Sequence, residues 1–328
     1  MKTNKLISIL LAALMLPTFT GCVKTPVEES GTRETETEAQ TEETQTEETA
    51  APTETETETV SESESESESE TEGEARAYEI DPAHGTAVTM QGKTLLILIF
   101  ASDSETAWDF SRDEDRETME NALHGLDVAT AYLTEQAARY GKALSFVYDG
   151  GFAGDLIYRA DFEETLVRFD GGGYKTQARW LEAHIDLPSL MDRYGADNAS
   201  FLFYFNTDYT NEVNPWTLSR RNGEQVQWEI SNFYLRFDGF DMTAPGMAHE
   251  LMHHYGARDL YYADEGIPQA YVDYLDEIDS KDIMHSVAAS NDRVPNEFTD
   301  LDAYYVGIAP RPAVADEWGL AYSEHDAP

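Results

Sequence analysis

The feature that most constrains this chain is residues 246–259, which read Gly-Met-Ala-His-Glu-Leu-Met-His-His-Tyr-Gly-Ala-Arg-Asp. His249 and His253 are four residues apart, so on a helix both imidazoles lie on one face and can reach one metal ion. Glu250 directly follows the first histidine, where its carboxylate can lie beside a metal-bound water and act as general base. The spacing therefore predicts a helix that carries part of a metal site.

The residues that flank this pattern predict where the helix begins and ends. Thr243 can cap its N-terminus, and Pro245 is tolerated in its first turn. Gly256 can adopt the left-handed conformation that ends a helix, which would swing Asp259 back toward the metal as a third ligand. Three protein ligands and one open position are what a catalytic zinc site needs. The simpler alternative, an amphipathic helix with surface histidines, is disfavoured by this spacing.

The motif resembles that of the metzincin-like zinc peptidases, in which His-Glu-x-x-His-x-x-Gly-x-x is followed by His or Asp. The chain is similar to the bacterial secreted peptidases of the immune inhibitor A type, which have Asp at that position. The resemblance implies that His249, His253 and Asp259 bind Zn²⁺ and that Glu250 is the general base. It covers residues 243–310 well and the upstream half only in outline.

One acidic residue competes with Asp259 for the third ligand position. Glu265 is the alternative, as in families where a downstream glutamate completes the site. We favour Asp259, because the break at Gly256 explains it and nothing comparable explains Glu265. His254 lies about 100° around the helix from His253 and is not expected to be a ligand.

A second element agrees with the resemblance. Residues 281–286, Lys-Asp-Ile-Met-His-Ser, resemble the methionine turn that lies under the metal in that clan, with Met284 as a packing residue. Tyr304 and Tyr305 are candidate oxyanion stabilisers, since tyrosines downstream of the turn serve this way in some metzincin families. Packing within a helix is their ordinary alternative. His285 is the residue that could close the fourth metal position if the site were structural.

The N-terminus resembles a bacterial lipoprotein signal. Lys2 and Lys5 form a basic n-region, and the apolar residues 6–16 are too short to span a bilayer as a permanent helix. Small residues precede Cys22, the only cysteine, which implies cleavage before it and lipidation of residue 22. The mature chain is therefore expected outside the cytoplasm, anchored to the bacterial cell membrane, without a disulfide. An ordinary secretory signal is the alternative.

Three segments follow from composition: a signal peptide over residues 1–22, a tether over 23–77 and a catalytic domain over 78–328. The tether consists of Thr-Glu and Ser-Glu repeats with 19 acidic and three basic residues, and such a segment is predicted to be disordered and extended. The whole chain has a net charge of −42 and no basic patch, which argues against nucleic acid as a partner. A protein or peptide substrate and a monomeric state are expected.

The apolar pattern of residues 78–328 predicts an α/β (α+β) domain with a mixed twisted sheet. A near-continuous apolar run at 94–100 indicates a buried central strand. Helical spacing predicts a long helix over 116–140, stopped by Gly141, and a last helix over 298–306. The other predicted elements are a strand at 144–148, loops and a hairpin over 151–174, a helix within 180–194 broken at Pro188, a strand at 201–205, a surface excursion over 208–225 and an edge strand at 230–237.

This order is what a metzincin-like upper and lower subdomain would produce. An exposed edge at residues 230–237 could bind an extended peptide, although a strand that merely closes the sheet is an equal alternative. The resemblance thus implies a cell-surface zinc-dependent endopeptidase. Two other classes stay open: a binding or adhesion module with a structural or inactive zinc site, and a zinc hydrolase of a non-peptide amide such as a cell-wall cross-link.

Overall fold

A computed structural model of the chain describes residues 89–166, 173–209, 216–218, 228–237, 240–241 and 243–326. All of them belong to the unit that extends from Ala77 to Pro328. The predicted signal peptide, Cys22 and the predicted tether of residues 23–77 lie outside the described residues. Within the described ranges, no helix is both long and apolar enough to cross a membrane.

A seven-stranded mixed sheet forms the centre of the described part of the chain. Its strands are β1 (Gly92–Ser102), β2 (Leu144–Val147), β3 (Ile157–Asp161), β4 (Asn198–Tyr209), β5 (Trp216–Leu218), β6 (Ile230–Phe237) and β7 (Phe240–Asp241). β2 and β3 pair one after the other along one side of β1, while β4 and then β6 extend the sheet on its other side. These five strands are parallel, and β5 and β7 pair antiparallel with β6.

Helices cover both faces of the sheet, as expected for parallel strands. They are α1 (Asp113–Arg139), α2 (Gly173–His184), α3 (Leu187–Tyr194), α4 (Ala244–His253), α5 (Gln269–Glu277), α6 (Asp300–Tyr305) and α7 (Ala313–Glu317). α1 and α4 share a core with one face of the sheet and with the C-terminal helices, whereas α2 and α3 pack on the opposite face. Double-sided burial explains why Leu95 to Ala101 form a continuous apolar run, each at most 1% exposed.

Several sequence predictions are confirmed at the level of single elements. The strands predicted at 94–100, 144–148 and 201–205 are β1, β2 and β4, and the long helix is α1. The chain turns at Gly141 with φ of 72°, as predicted for the end of α1. Pro188 lies in the first turn of α3, where Asp186 caps the helix by accepting a hydrogen bond from the Ser189 amide.

Two strand predictions are wrong. The described part of residues 151–174 contains β3, which runs parallel to β1, rather than a hairpin. Residues 230–237 are not the sheet edge, because β6 pairs with β4 on one side and with β5 and β7 on the other. Ser231 and Asn232 made the strand look partly exposed, but their polar groups are buried and bonded inside the protein, to His254 and to Gln177 respectively.

Candidate metal centre

α4 carries the two histidines and is bounded by local signals. The Thr243 hydroxyl accepts a hydrogen bond from the Gly246 amide at 3.4 Å and so caps the N-terminus. Beyond the C-terminus, Gly256 has φ of 93°, and a Cβ there would lie 3.2 Å from the Tyr305 carbonyl oxygen. Both the positive φ and this close approach require glycine. The turn at Gly256 directs the following residues back along α4.

His249, His253 and Asp259 come together as a buried group that could hold a metal ion. The two Nε2 atoms are 3.2 Å apart, and they lie 3.2 Å and 3.1 Å from Oδ1 of Asp259. A tetrahedral zinc ion with bonds of about 2.0–2.1 Å would separate its ligand atoms by about 3.3 Å. The three atoms therefore fit one face of a coordination tetrahedron and leave its fourth corner open.

Backbone carbonyl groups orient both imidazoles. Nδ1–H of His249 donates to the carbonyl oxygen of Ile283, and Nδ1–H of His253 donates to that of Ala257, each at 2.9 Å. Because a carbonyl oxygen can only accept, each Nδ1 bears the proton in the neutral ring and each Nε2 presents its lone pair to the centre. Hydrogen bonds from the ring nitrogen that does not face the metal fix the orientation of metal-ligating histidines.

The charges within this group depend on one another. Burial by itself would lower the pKa of His249, but the hydrogen bond and charge of Asp259, together with the charge of Glu250, raise it to about 9. Burial would raise the pKa of Asp259, yet the charge of His253 and the hydrogen bonds from both histidines hold it well below its usual range. The metal-free site thus keeps an anionic carboxylate against a protonated imidazole, which a cation can replace.

Glu250 lies beside this group, whereas Glu265 and His285 are not members of it. Its side chain is buried, and its negative charge contributes to the raised pKa values of His249 and Tyr261. Glu265 is exposed and does not belong to the metal-ligating group found among the described residues. His285, considered as a fourth ligand, has its Nε2 3.2 Å from a carboxylate oxygen of Asp276 on α5.

His254 faces the opposite side of α4. Its Nε2 lies 2.6 Å from the Ser231 hydroxyl, and its Nδ1 lies 3.9 Å from a carboxylate oxygen of Glu229. Burial, with the charge of His253, lowers the pKa of His254 to about 3, so the ring is neutral. His254 therefore attaches α4 to β6 and is not among the residues that converge on the metal position.

The turn at residues 282–286 lies directly under the centre. Met284 is buried, and its carbonyl oxygen accepts a hydrogen bond from the amide of Leu260, the residue after Asp259. The neighbouring carbonyl of Ile283 is the one that binds His249. The backbone of the turn thus bonds to His249 and to the residue that follows Asp259, with the Met284 side chain in the surrounding core.

A buried pair of carboxylates supports this turn. Asp282 accepts from the Met284 amide at 2.8 Å and from the Thr299 hydroxyl at 2.9 Å, and Asp302 accepts from the Thr299 amide at 2.8 Å. The other carboxylate oxygen of Asp302, Oδ1, is buried without a hydrogen-bond partner among the described residues. Burial, and then the charge of Asp282, raise the pKa of Asp302 well above its usual range.

The tyrosines predicted as oxyanion stabilisers are engaged elsewhere. The Tyr304 hydroxyl accepts from the Ser323 amide at 2.8 Å, and the Tyr305 hydroxyl donates to the Ala321 carbonyl at 3.3 Å. Both side chains are buried against the C-terminal segment. Their hydroxyl groups thus hold that segment in place, which corresponds to the packing alternative.

Another tyrosine lies at the metal group and was missed by sequence reasoning. The Tyr261 ring centroid is 6.1 Å from that of His249, and the Tyr261 hydroxyl hydrogen-bonds to the Asp259 carboxylate. Burial of the hydroxyl, then the charges of Asp259 and Glu250, raise its pKa. The sequence signal that could have identified Tyr261 is its position two residues after Asp259, on the stretch that the turn at Gly256 directs back toward the histidines.

Comparison with known proteins gives no identification: no protein-family model and no curated protein sequence matches this chain. Two neutral imidazoles and one carboxylate suit a first-row divalent cation, and a buried carboxylate next to an open coordination position suits proton transfer to and from water.

Proposed function

We propose that this chain is a zinc-dependent endopeptidase. The observation that carries the proposal is the triangle of His249, His253 and Asp259, with ligand atoms 3.1–3.2 Å apart and Glu250 beside it. Three protein ligands with an open fourth position are the arrangement of catalytic zinc sites, whereas structural sites are closed by a fourth ligand. Among the described residues the metal-ligating group has three members.

Glu250 is what favours hydrolysis over other uses of the same ligands. Two histidines and one carboxylate also hold non-haem Fe(II) in oxygenases, so the ligand set alone does not choose the reaction. A buried carboxylate next to the open position has a direct use when water attacks a carbonyl group. The resemblance to metzincin-like peptidases, with Met284 in the turn beneath His249, supports the same choice.

The proposed mechanism assigns one role to each residue. His249, His253 and Asp259 would hold the metal, and the carbonyl groups of Ile283 and Ala257 would keep both imidazoles in the ligating tautomer. When bound, the metal supplies a Lewis acid that polarises a peptide carbonyl and acidifies a water. Glu250 takes the proton of the attacking water and later delivers it to the leaving nitrogen.

Replacement of Glu250 by Gln tests the mechanism. Gln has nearly the same shape and hydrogen-bonds, but it cannot accept a proton at neutral pH. Glu250→Gln should retain metal and fold while losing about 10²–10⁴-fold in peptide cleavage. Glu265→Gln is the matched control, because it makes the same change at an exposed glutamate outside the metal-ligating group and should cleave like wild type.

The readouts are metal content by mass spectrometry and cleavage of an unbiased peptide mixture. Equal cleavage by wild type and Glu250→Gln would show that the mechanism is wrong. Zinc in the wild type without any cleavage would favour a binding module or a hydrolase of non-peptide amides, and the latter is tested with cell-wall material as substrate. Iron in place of zinc would contradict the metal assignment.

We also propose that the protein is anchored outside the bacterial cell by lipid on Cys22. The support is the sequence before Cys22, which resembles a lipoprotein signal. Cys22→Ala removes the sulfur that would bear the lipid, so the protein should move from the membrane fraction to the medium. Fractionation followed by immunoblotting measures this, and a variant that stays with the membrane would contradict the anchor.

A further inference from the structure

Tyr261 combines accessibility from solvent with a hydroxyl group at the metal centre. Half of its surface is exposed, although its ring lies 6.1 Å from the His249 ring at an angle of 33°. Its hydroxyl bonds to Asp259, one of the three residues that face the metal position. A side chain that only packed the core would be covered, and one that only faced solvent would not contact a ligand.

The neighbouring tyrosine supplies a natural comparison. Tyr262 packs against Tyr261 edge to face, with ring centroids 5.3 Å apart, and is 38% exposed. The Tyr261 ring lies next to His249, and the Tyr261 hydroxyl bonds to Asp259. The two packed rings therefore lie beside the candidate metal centre, with the Tyr261 hydroxyl at Asp259.

We propose that Tyr261 is a catalytic residue that donates a hydrogen bond to the carbonyl oxygen of the peptide, an inference that rests on the peptidase function proposed above. As the water oxygen bonds to the carbonyl carbon, the π electrons of the C=O bond move to the carbonyl oxygen. Glu250 takes the proton of that water. The Tyr261 hydroxyl exchanges its bond to Asp259 for a bond to the new oxyanion, and it keeps its own proton throughout.

Collapse of the tetrahedral species completes the hydrolysis. The electron pair on the oxygen re-forms the C=O bond, the C–N bond breaks, and the proton on Glu250 goes to the leaving nitrogen. The hydrogen bond from Tyr261 is then to a neutral carbonyl oxygen and is weaker, so it favours the transition state over substrate and product. Tyr304 and Tyr305 are not required, because their hydroxyl groups bind the C-terminal segment.

Tyr261→Phe, with Tyr262→Phe as the matched control, tests this role in the full-length, zinc-loaded protein. Each change removes one hydroxyl and leaves the ring in place. Loss of one oxyanion donor costs about 10²–10³-fold in kcat, so Tyr261→Phe should lose that much with little change in KM. Tyr262→Phe should behave like wild type.

Two further measurements separate catalysis from mere positioning of Asp259. Calorimetry with a phosphinic analogue of the best-cleaved peptide, in which PO₂–CH₂ replaces the scissile CO–NH, should show a loss of affinity parallel to that in kcat. Zinc affinity is measured by competition with a chromophoric chelator, and loss of the hydrogen bond to Asp259 alone is expected to lower it by at most about 10- to 100-fold. The loss in kcat should persist at saturating zinc, where a residue that only positions Asp259 would leave kcat unchanged.

Three results would overturn the inference. An unchanged kcat in Tyr261→Phe removes the catalytic role while leaving the peptidase proposal intact. A loss of zinc affinity, with kcat restored at saturating zinc, makes Tyr261 a positioning residue for Asp259. A wild type that holds zinc but neither cleaves peptides nor binds the phosphinate overturns the peptidase proposal and this inference together.

Discussion

Two buried carboxyl groups on the same side of the sheet have pKa values shifted in opposite directions. Asp259 is 8% exposed and Asp302 is 1% exposed, so burial disfavours the charge of both. Asp259 faces two imidazoles, which hold its pKa well below the usual range. Asp302 faces Asp282, which adds to burial and raises its pKa. The sign of the neighbouring charge, and not the depth of burial, decides whether each group is ionised.

This difference suits Asp259 to binding a cation and Asp302 to a structural role at the start of α6. Asp259 keeps its charge at neutral pH and can donate an electron pair to a metal. The raised pKa of Asp302 favours its protonated state. Its Oδ2 atom accepts a hydrogen bond from the Thr299 amide in the capping box at the start of α6. The carboxylate pair thus holds the turn under His249 through hydrogen bonds to Met284 and Thr299.

The largest expected effect is the loss of metal on removal of Asp259. Loss of a residue that only hydrogen-bonds to a metal ligand costs about 10- to 100-fold in affinity. Asp259→Ala should lose more than this, because it deletes the proposed ligand and the negative charge at the centre. Glu265→Ala, an exposed carboxylate on the same loop, should bind like wild type. Competition with a chelator measures both, and the reverse pattern would reassign the third ligand to Glu265.

The next effect is on pH dependence of metal uptake. A metal must displace the proton of His249, whose pKa is about 9 in the metal-free site. Apparent affinity should therefore approach a tenfold fall per pH unit below that value, which amounts to about 50-fold from pH 9 to pH 7. Calorimetry in buffers of different ionisation enthalpy should detect about one proton released per metal at pH 7. Binding without proton release would contradict the ion pair between His249 and Asp259.

The smallest expected effect is on the stability of the protein, and it tests the contrast between Asp302 and Asp259. It is measured in metal-free protein with a chelator present. The raised pKa of Asp302 means that stability is highest with its proton bound and falls as pH rises through the folded value. Asp302→Asn preserves the acceptor for Thr299 and removes this loss, so it should raise the free energy of unfolding at pH 7.

Asp259→Asn should do the opposite. A lowered pKa contributes stability above the unfolded value, and this is lost as pH falls through the folded one. The variant should therefore be less stable than wild type at pH 7, and the difference should shrink in acid. Urea unfolding between pH 3 and pH 8 measures both variants. If both changed stability in the same direction at pH 7, burial and not the neighbouring charge would control the two groups.

The metal group was predictable because its determinants are local. A spacing of four residues places His249 and His253 on one helix face whatever the rest of the chain does. The turn at Gly256 needs only a positive φ to direct Asp259 back toward them. The central strand was equally clear, since burial on both faces requires a continuous apolar run.

Pairing partners and hydroxyl contacts were not predictable, because they join residues far apart in the chain. Ser231 and Asn232 made β6 look half exposed, yet His254 and Gln177 satisfy them in the interior. Polarity in a strand shows that a partner is needed, not whether that partner is water or protein.

The sequence by itself determined a capped helix with two histidines on one face, a glutamate beside them and a glycine turn leading to Asp259. Only the tertiary structure decided which tyrosine lies at the centre: Tyr261 contacts Asp259, while Tyr304 binds the C-terminal segment. It also brought Asp302 beside Asp282 and so raised its pKa. The physical reason is that backbone conformation depends on near neighbours, whereas the charge and contacts of a buried polar group depend on residues that only folding brings together.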